Sequence, residues 1–329
     1  MASRLVEYLM SMETRNYSKS TIAGADWCIS RFVSWCEERG LKLPTEVTRP
    51  LLERYARHLY QERTAADKPK SFRSQVSELS AMRLYFKYLA RRNYVPFSPA
   101  AELELPRVPR RLPRAVLSHV EMEAVLSQPD VKTPSGVRDR AILETFYSTG
   151  IRRTELTSLR MQDVDRTRGV VMILEGKGKK DRTVPIGERA LDWIERYMMD
   201  VRPSLISDPG QQTLFLAEPG VPMSPDSLSH RVTQYVNAAE LEKRGSCHLF
   251  RHTMATLMLE GGADVRAIQE MLGHASLRST QIYTHVSIVH LQEVHASTHP
   301  SAKRRRNAAS TPSPSAIDAL APDDDAGLP

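Results

Sequence analysis

The chain has 329 residues and carries 46 Lys and Arg against 39 Asp and Glu, a formal net charge of +7. Its length predicts about two domains, and its 41% hydrophobic and 26% charged residues are ordinary for a globular protein. No run of about 18 apolar residues occurs, and the start of the chain lacks the apolar region of a signal peptide, so neither a membrane span nor secretion is expected. Three cysteines without a CxxC pair disfavour a disulfide scaffold and a cysteine-based metal site, and favour a reducing, cytoplasmic location.

The positive charge is concentrated in the first third of the chain. Residues 1–110 hold 19 Lys and Arg against 12 Asp and Glu, whereas residues 111–300 hold 23 of each. A basic domain of this kind is expected to meet a polyanion. Charge alone leaves open the alternative of a solvated surface that happens to be basic.

The N-terminal part is predicted to be helical. Apolar residues recur at helical spacing in residues 5–12, 27–35, 51–59 and 79–89, and Trp27 and Leu84 are among them. Gly, Pro, Asn and Ser interrupt these stretches, so we expect about four helices and no strand. Residues 105–114 then place three prolines among four arginines, which is typical of an extended, basic linker.

The second part is predicted to combine helices with one β-hairpin. Ser118 and Glu121 form a capping-box pattern, and Gly150 is expected to end a helix. The hairpin strands are 170–174 and 183–186, on either side of the basic turn 176–182. The predicted helices are 138–149, a short one from 154, 187–200, 224–239, 247–260, 264–272 and 279–295. From residue 301 the composition predicts a disordered tail, 301–329.

Four segments carry groups suited to phosphate chemistry. They are Thr-Gly-Ile-Arg-Arg-Thr-Glu-Leu (149–156), Gly-Lys-Gly-Lys-Lys-Asp-Arg (176–182), His-Leu-Phe-Arg-His (248–252) and the stretch 272–285 with Leu-Gly-His and Gln-Ile-Tyr-Thr-His. Their arginines, histidines and lysine supply donors and cations, and a tyrosine supplies a nucleophile. Such a set suits a phosphate whose negative charge grows in a transition state.

Two other chemistries fit these segments poorly. The histidines could bind a metal, but no HExxH or carboxylate-rich cluster accompanies them, and Arg251 between His248 and His252 would place a cation beside the metal. A serine hydrolase is also disfavoured because no GxSxG motif occurs. We therefore expect no metal and no cofactor.

The four segments, in this order, resemble the tyrosine recombinase (phage integrase) family, and in particular its Xer-type members and related transposon resolvases and integrases. The resemblance covers about residues 116–295, and the helical N-terminal part resembles the family's core-binding domain. It implies a mostly α fold with a small antiparallel β-sheet in the C-terminal domain. The implied organisation is a two-domain clamp: a core-binding domain (1–104), a linker (105–114), a catalytic α+β domain (115–300) and the tail (301–329).

The resemblance also assigns roles to residues. Tyr283 is implied as the nucleophile, with Arg152 and Arg251 on the non-bridging oxygens of the scissile phosphate. The remaining implied roles are His274 as a further donor, His248 as proton acceptor, Lys177 as the acid for the departing 5′-oxygen, and Glu155 as a tether for an arginine. Composition alone leaves three choices open: Arg153 for Arg152, Lys179 or Lys180 for Lys177, and an ordinary exposed charge at Glu155. His252 and His285 are expected to be structural.

The implied activity is site-specific DNA recombination through a 3′-phosphotyrosine intermediate and a Holliday junction, without metal or ATP. The expected partners are double-stranded DNA recombination sites and three further protomers, either copies of this chain or a paralogous recombinase, with no membrane. A cytoplasmic, nucleoid-associated location follows from this activity. Two alternatives stay open: relaxation of DNA in the manner of a type IB topoisomerase, and an architectural DNA-binding protein without catalysis.

Overall fold

A computed structural model describes residues 1–64, 66–109, 116–174 and 181–273. Lys177, His274 and Tyr283 lie outside the described residues, as do the predicted helix 279–295 and the tail 301–329. The chain divides into two compact units, Met1–Arg110 and Arg111–Pro329. The roles predicted for the two domains stay predictions.

The first unit is helical, as predicted. In α2 and α4 the helix starts at a serine cap: Ser18 Oγ accepts from Thr21 N and Ser71 Oγ accepts from Ser74 N, which satisfies amides that the helix itself leaves unpaired. The helices are α1 (Ala2–Thr14), α2 (Lys19–Glu37), α3 (Arg49–Gln61) and α4 (Phe72–Arg91), with a 3₁₀ turn at Pro44–Glu46.

The core of the first unit lies between these helices. Phe32, Tyr55 and Phe86 are buried and meet edge to face, with ring centroids 4.9 and 6.0 Å from that of Phe32. Trp27 and Leu84, which are among the apolar residues at helical spacing, lie in helices as predicted but are 54% and 58% exposed. At 100° per residue both positions fall off the buried stripe of their helices.

The second unit is built around α6. The helices are α5 (His119–Leu126), α6 (Pro134–Thr149), α7 (Arg153–Ser158), α8 (Glu188–Arg196), α9 (Arg202–Leu205), α10 (Pro225–Ala238), α11 (Cys247–Glu260) and α12 (Val265–Leu272). A 3₁₀ turn (Met161–Asp163) follows α7, and a π-helical segment (Tyr197–Val201) joins α8 to α9. Phe146 of α6 packs on Phe250 of α11, and both are fully buried. Within the described ranges, no helix is long and apolar enough to span a bilayer.

The predicted hairpin is present and belongs to a slightly larger sheet. Strands β1 (Val164–Asp165), β2 (Val170–Ile173) and β3 (Arg182–Pro185) are antiparallel in the order β1-β2-β3. Strands β4 (Leu216–Ala217) and β5 (Val221–Pro222) form a second antiparallel pair. The fold is therefore mostly α with small antiparallel sheets in the second unit, as the sequence predicts.

Two helix boundaries differ from the predictions by more than one residue. Helix α6 begins at Pro134 rather than 138, because Thr133 Oγ1 caps the helix by accepting from Gly136 N. Proline is tolerated in this first turn because the backbone N–H groups there have no acceptor within the helix, so the N–H that proline lacks costs no hydrogen bond. The predicted helix 187–200 ends as α8 at Arg196 and continues with π-helical bonding. The predicted capping box at the start of α5 is confirmed, with Ser118 N donating to Glu121 and Glu121 N to Ser118 Oγ.

Candidate active site

The entry to α7 places Arg152 at the site. Gly150 ends α6 in a left-handed conformation with φ of 59°. The left-handed conformation favours glycine at this position, and a Cβ there would displace the terminal methyl of Met254 and crowd Leu272. Arg152 then caps α7, and its backbone N donates to Glu155 in the first turn of that helix at 2.8 Å.

Helix α11 contributes two candidate residues from one face. His248 and Arg251 are three residues apart, which places them on neighbouring positions of the helix surface. Arg251 is only 4% exposed. Its Nη1 donates to the Gly150 carbonyl at 2.7 Å and its Nη2 to the Leu272 carbonyl at 2.7 Å. One guanidinium thus ties the ends of α6 and α12 together.

The last carbonyls at the end of α12 each accept from a different arginine. We call residues 271–273 the α12 terminus. Arg182 Nε donates to Met271 O at 3.0 Å, Arg251 Nη2 to Leu272 O at 2.7 Å, and Arg152 Nη2 to Gly273 O at 3.2 Å. The C-terminal carbonyls of a helix lack partners within it and carry its negative partial charge, so cations are favoured there. The next residue along the chain is His274.

Glu155 joins two of these arginines. Its carboxylate accepts from Arg152 Nη1 at 2.7 Å and from Arg182 Nη1 and Nη2 at 3.0 and 2.7 Å. Burial alone would raise the pKa of Glu155, but the hydrogen bonds and charges of Arg182 and Arg152 lower it to about 2. Glu155 is 6% exposed, so the alternative of an ordinary exposed helix charge was wrong.

The surroundings of His248 favour its neutral form. Partial desolvation lowers the pKa of its imidazole from the usual 6.5 although the residue is exposed, and the positive charges of Arg251, Arg153 and Arg152 lower it further. At pH 7 the imidazole is therefore able to accept a proton. The pKa of His252, whose ring centroid lies 6.5 Å from that of His248, is lowered by burial and by the charges of His248 and Arg251.

The structure distinguishes Arg152 from its neighbour. Arg153 Nη1 donates to Asp226 Oδ1 and to Ser229 Oγ, both at 2.9 Å, and is 41% exposed. Only Arg152 of the two donates to the α12 terminus. Among the described residues, no group of three or more His, Cys, Asp and Glu could hold a metal ion.

Four of the seven sequence-predicted site residues thus fall in the described part of the chain, and the structure brings Arg152, Glu155, His248 and Arg251 into one region of the second unit. The positions of Lys177, His274 and Tyr283, and of the alternatives Lys179 and Lys180, are outside it. Sequence reasoning missed one residue, Arg182. It lies in the basic segment 176–182, but nothing in the sequence pairs it with Glu155, since that contact forms only in the folded chain.

Residues 115–290 match the model of the phage integrase family. Tyrosine recombinase XerC 2 of Ralstonia nicotianae is 49% identical over 291 residues, which are 88% of this chain and 84% of that protein. Tyrosine recombinase XerD of Pseudomonas putida is 38% identical over 83% of this chain and 88% of its own length.

Solved structures support the same family. The crystal structure of XerA recombinase is 29% identical, with a TM-score of 0.51 over 91% of this chain and 99% of that one. XerH site-specific recombinase, solved in a post-cleavage complex with its difH substrate, shares the fold with a TM-score of 0.68 at 22% identity, over 90% of this chain and 84% of that one. The chain belongs to the phage integrase family and is a site-specific tyrosine recombinase similar to the Xer proteins.

Proposed function

We propose that Arg152 and Arg251 bind the scissile phosphate of a double-stranded DNA recombination site, which Tyr283 attacks to form a 3′-phosphotyrosine intermediate. One observation carries this proposal. The two arginines come from different helices and donate to the neighbouring carbonyls of Gly273 and Leu272, directly before His274. Phosphate-binding cations and the segment that leads to His274 and Tyr283 are thereby tied together.

The charges of the cluster suit a phosphate. Among the described residues of the cluster, Arg152, Arg182 and Arg251 bring three positive charges and Glu155 brings one negative charge. Arginine stays charged at any accessible pH, and its planar fork matches two phosphate oxygens. Stabilisation of this kind is worth most when charge grows on the non-bridging oxygens in the transition state.

The proton transfers are assigned to the histidine and the lysine. The Tyr283 oxygen attacks phosphorus and its proton passes to the neutral imidazole of His248. A phenol has a pKa near 10 and needs such an acceptor at neutral pH. The bond from phosphorus to the 5′-oxygen breaks, and Lys177 protonates that oxygen, while His274 donates to the phosphate. Rejoining reverses these steps, so the bond energy is kept and no ATP is consumed.

The first unit is proposed to bind the duplex through a basic groove. A groove of about 1240 Å³ lies between α1, α2, α4 and the segment that precedes α4. The cations among the described residues that line it are Arg15, Arg31, Arg63, Lys68, Lys70, Lys87 and Arg91, against the carboxylates of Glu62 and Glu78. Both carboxylates are already paired with Lys70 and Arg31, so the surplus of positive charge is available to phosphates.

Strand exchange between two sites requires four protomers, and we propose that this chain assembles on DNA with copies of itself or with a paralogous recombinase, passing through a Holliday junction. The relatives of this chain include recombinases of two names, XerC 2 and XerD, which leaves room for a partner of the other type. Such a protein would work at the nucleoid.

The test is a covalent adduct assay on a DNA substrate with a nick next to the cleavage site. Cleavage releases a short strand that diffuses away, so rejoining is prevented and the protein–DNA intermediate accumulates. The unchanged chain is expected to form protein–DNA adducts, and Tyr283→Phe to form none while binding DNA normally, because only one oxygen is removed. Tyr147→Phe, in α6 of the same unit, is the matched control and should form adducts. Adducts formed by Tyr283→Phe would refute the assignment of the nucleophile.

A further inference from the structure

We propose that Arg182 is a positioning residue for catalysis, which holds the Glu155 carboxylate so that the charge of Arg152 stays available to the scissile phosphate. This inference rests on the proposed function and adds to it a residue outside the set assigned there. Arg182 begins β3, which follows the lysine-bearing segment 177–180 in sequence, and its side chain reaches α7 and α12.

All three guanidinium nitrogens of Arg182 are engaged within the protein. Nη1 and Nη2 donate to the two oxygens of Glu155 at 3.0 and 2.7 Å, and Nε donates to Met271 O at 3.0 Å. The side chain is 12% exposed. Arg182 therefore acts through Glu155 and the α12 terminus rather than by touching DNA.

Close contact with Gly273 fixes this position further. A Cβ at Gly273 would lie 3.0 Å from Cδ and Nε of Arg182 and 3.1 Å from its Cζ, so the guanidinium lies against the glycine backbone. Gly273 has φ of 59°, the left-handed conformation at which the chain leaves α12 toward His274. Arg182 thus contacts Gly273, the residue that precedes His274 in sequence.

The same residue anchors the base of the hairpin. Arg182 pairs with Ile173 in the register of β2 and β3, at the end of these strands that adjoins residues 175–180 in the chain. One side chain therefore links these two strands, the α12 terminus and Glu155, the partner of Arg152.

The negative charge of Glu155 makes the position of the Arg152 side chain depend on Arg182. With Arg182 present, the Glu155 carboxylate is shared between two arginines, and Arg152 donates to it from Nη1 and the backbone N alone. Of the two arginines that now bond to the buried Glu155 carboxylate, only Arg152 would remain if Arg182 were removed. The attraction between the two charges would then draw the whole Arg152 guanidinium onto Glu155. The phosphate would then lose part of the charge that Arg152 supplies.

The experiment measures single-turnover cleavage of a nicked DNA substrate at saturating protein, together with DNA affinity. Arg182→Gln should cleave about 100-fold more slowly, the order that a misplacement of a reacting group by about 1 Å costs. Its DNA affinity should stay close to that of the unchanged chain. The matched control is Arg189→Gln, which removes an arginine bonded to the buried Glu144 at 2.9 Å and to Glu123 at 2.8 Å, away from the site.

Two further measurements separate positioning from a loss of folding. On a substrate with a methyl group in place of one non-bridging oxygen, the phosphate is neutral and needs less positive charge, so the defect of Arg182→Gln should shrink. Arg182→Gln combined with Glu155→Gln should cleave faster than Arg182→Gln alone, because no carboxylate remains to claim Arg152.

The inference is overturned if Arg182→Gln cleaves as fast as Arg189→Gln. It is also overturned if the defect is equal on both substrates and the double variant is not faster, since Arg182 would then be only structural. Its failure differs from failure of the proposed function, which is judged by adduct formation in Tyr283→Phe, where Arg182 is unchanged.

Discussion

Glu155→Gln should destabilise the second unit by about 3 kcal/mol at pH 7. The substitution keeps the size of the side chain and removes the negative charge between Arg152 and Arg182. The pKa of Glu155 falls from its usual 4.5 to about 2, and each pKa unit corresponds to about 1.4 kcal/mol of preference for the charged form in the folded chain. Breaking a buried ion pair by removing one partner costs about 3–5 kcal/mol, which agrees.

The loss should depend on pH in a defined direction. Because the pKa of Glu155 is lower in the folded chain, its contribution is complete above pH 4.5 and is lost as the pH falls toward 2. At pH 4 the unfolded carboxyl is largely protonated while the folded one is still charged, so about 1 kcal/mol of the contribution has gone. The difference in the free energy of unfolding between the unchanged chain and Glu155→Gln should therefore be smaller by that amount at pH 4 than at pH 7.

Hydrogen exchange of peptides from α6 reports the free energy of unfolding of the second unit separately from the first. Glu123→Gln serves as the control, because its pair with Arg189 is 34% exposed at the glutamate and such surface pairs contribute about 0–1 kcal/mol. Equally small losses of unfolding free energy in Glu155→Gln and Glu123→Gln at pH 7 would refute a stabilising role of the buried carboxylate. So would a difference in unfolding free energy between Glu155→Gln and the unchanged chain that does not change with pH.

Four other outcomes follow from the site. Gly273→Ala should lose about 1–2 kcal/mol of stability because of the positive φ, and it should cleave more slowly because the new methyl presses on Arg182. The control Gly262→Ala, with φ of 87° and open space around it, should lose stability but keep its cleavage rate, and equal rates for the two variants would contradict this. The pH at which the cleavage rate has fallen to half should lie below 6.5, because the pKa of His248 is lowered from that value; a midpoint above pH 6.5 would count against a neutral His248. Cleavage should persist in EDTA, and loss of cleavage that a divalent ion restores, with DNA binding unchanged, would show that a metal is needed. Lys87→Gln, an exposed lysine of the groove, should reduce the slope of log affinity against log salt by about 0.9, and an unchanged slope would place Lys87 away from the DNA backbone.

Features with local causes could be predicted from the sequence. The capping box at Ser118 and Glu121 and the glycine stop at Gly150 depend on neighbouring residues alone, and both occur as predicted. His248 and Arg251 share a face because helical spacing requires it. The long helices of the first unit follow from apolar stripes that repeat over several turns.

Features that depend on the folded chain were missed. Strands β1, β4 and β5 are two residues long each, too short to show an alternating pattern. The pairing of Glu155 with Arg182 joins residues 27 apart in sequence, and it forms only because folding brings the start of β3 to α7. The convergence of three arginines on the α12 terminus has the same origin, because hydrogen bonds to backbone carbonyls leave no mark in the amino-acid sequence.

The most direct test of the central claim is to map the covalent bond on the protein. After cleavage of a nicked recombination site, the adduct would be digested with trypsin and nuclease and its peptides sequenced by mass spectrometry. The fragment 279–303, which follows Arg278 and ends at Lys303, contains Tyr283 as its single tyrosine. A nucleotide remnant joined through its 3′-phosphate to Tyr283 is the expected result. A remnant on any other residue, or joined through a 5′-phosphate, would contradict it.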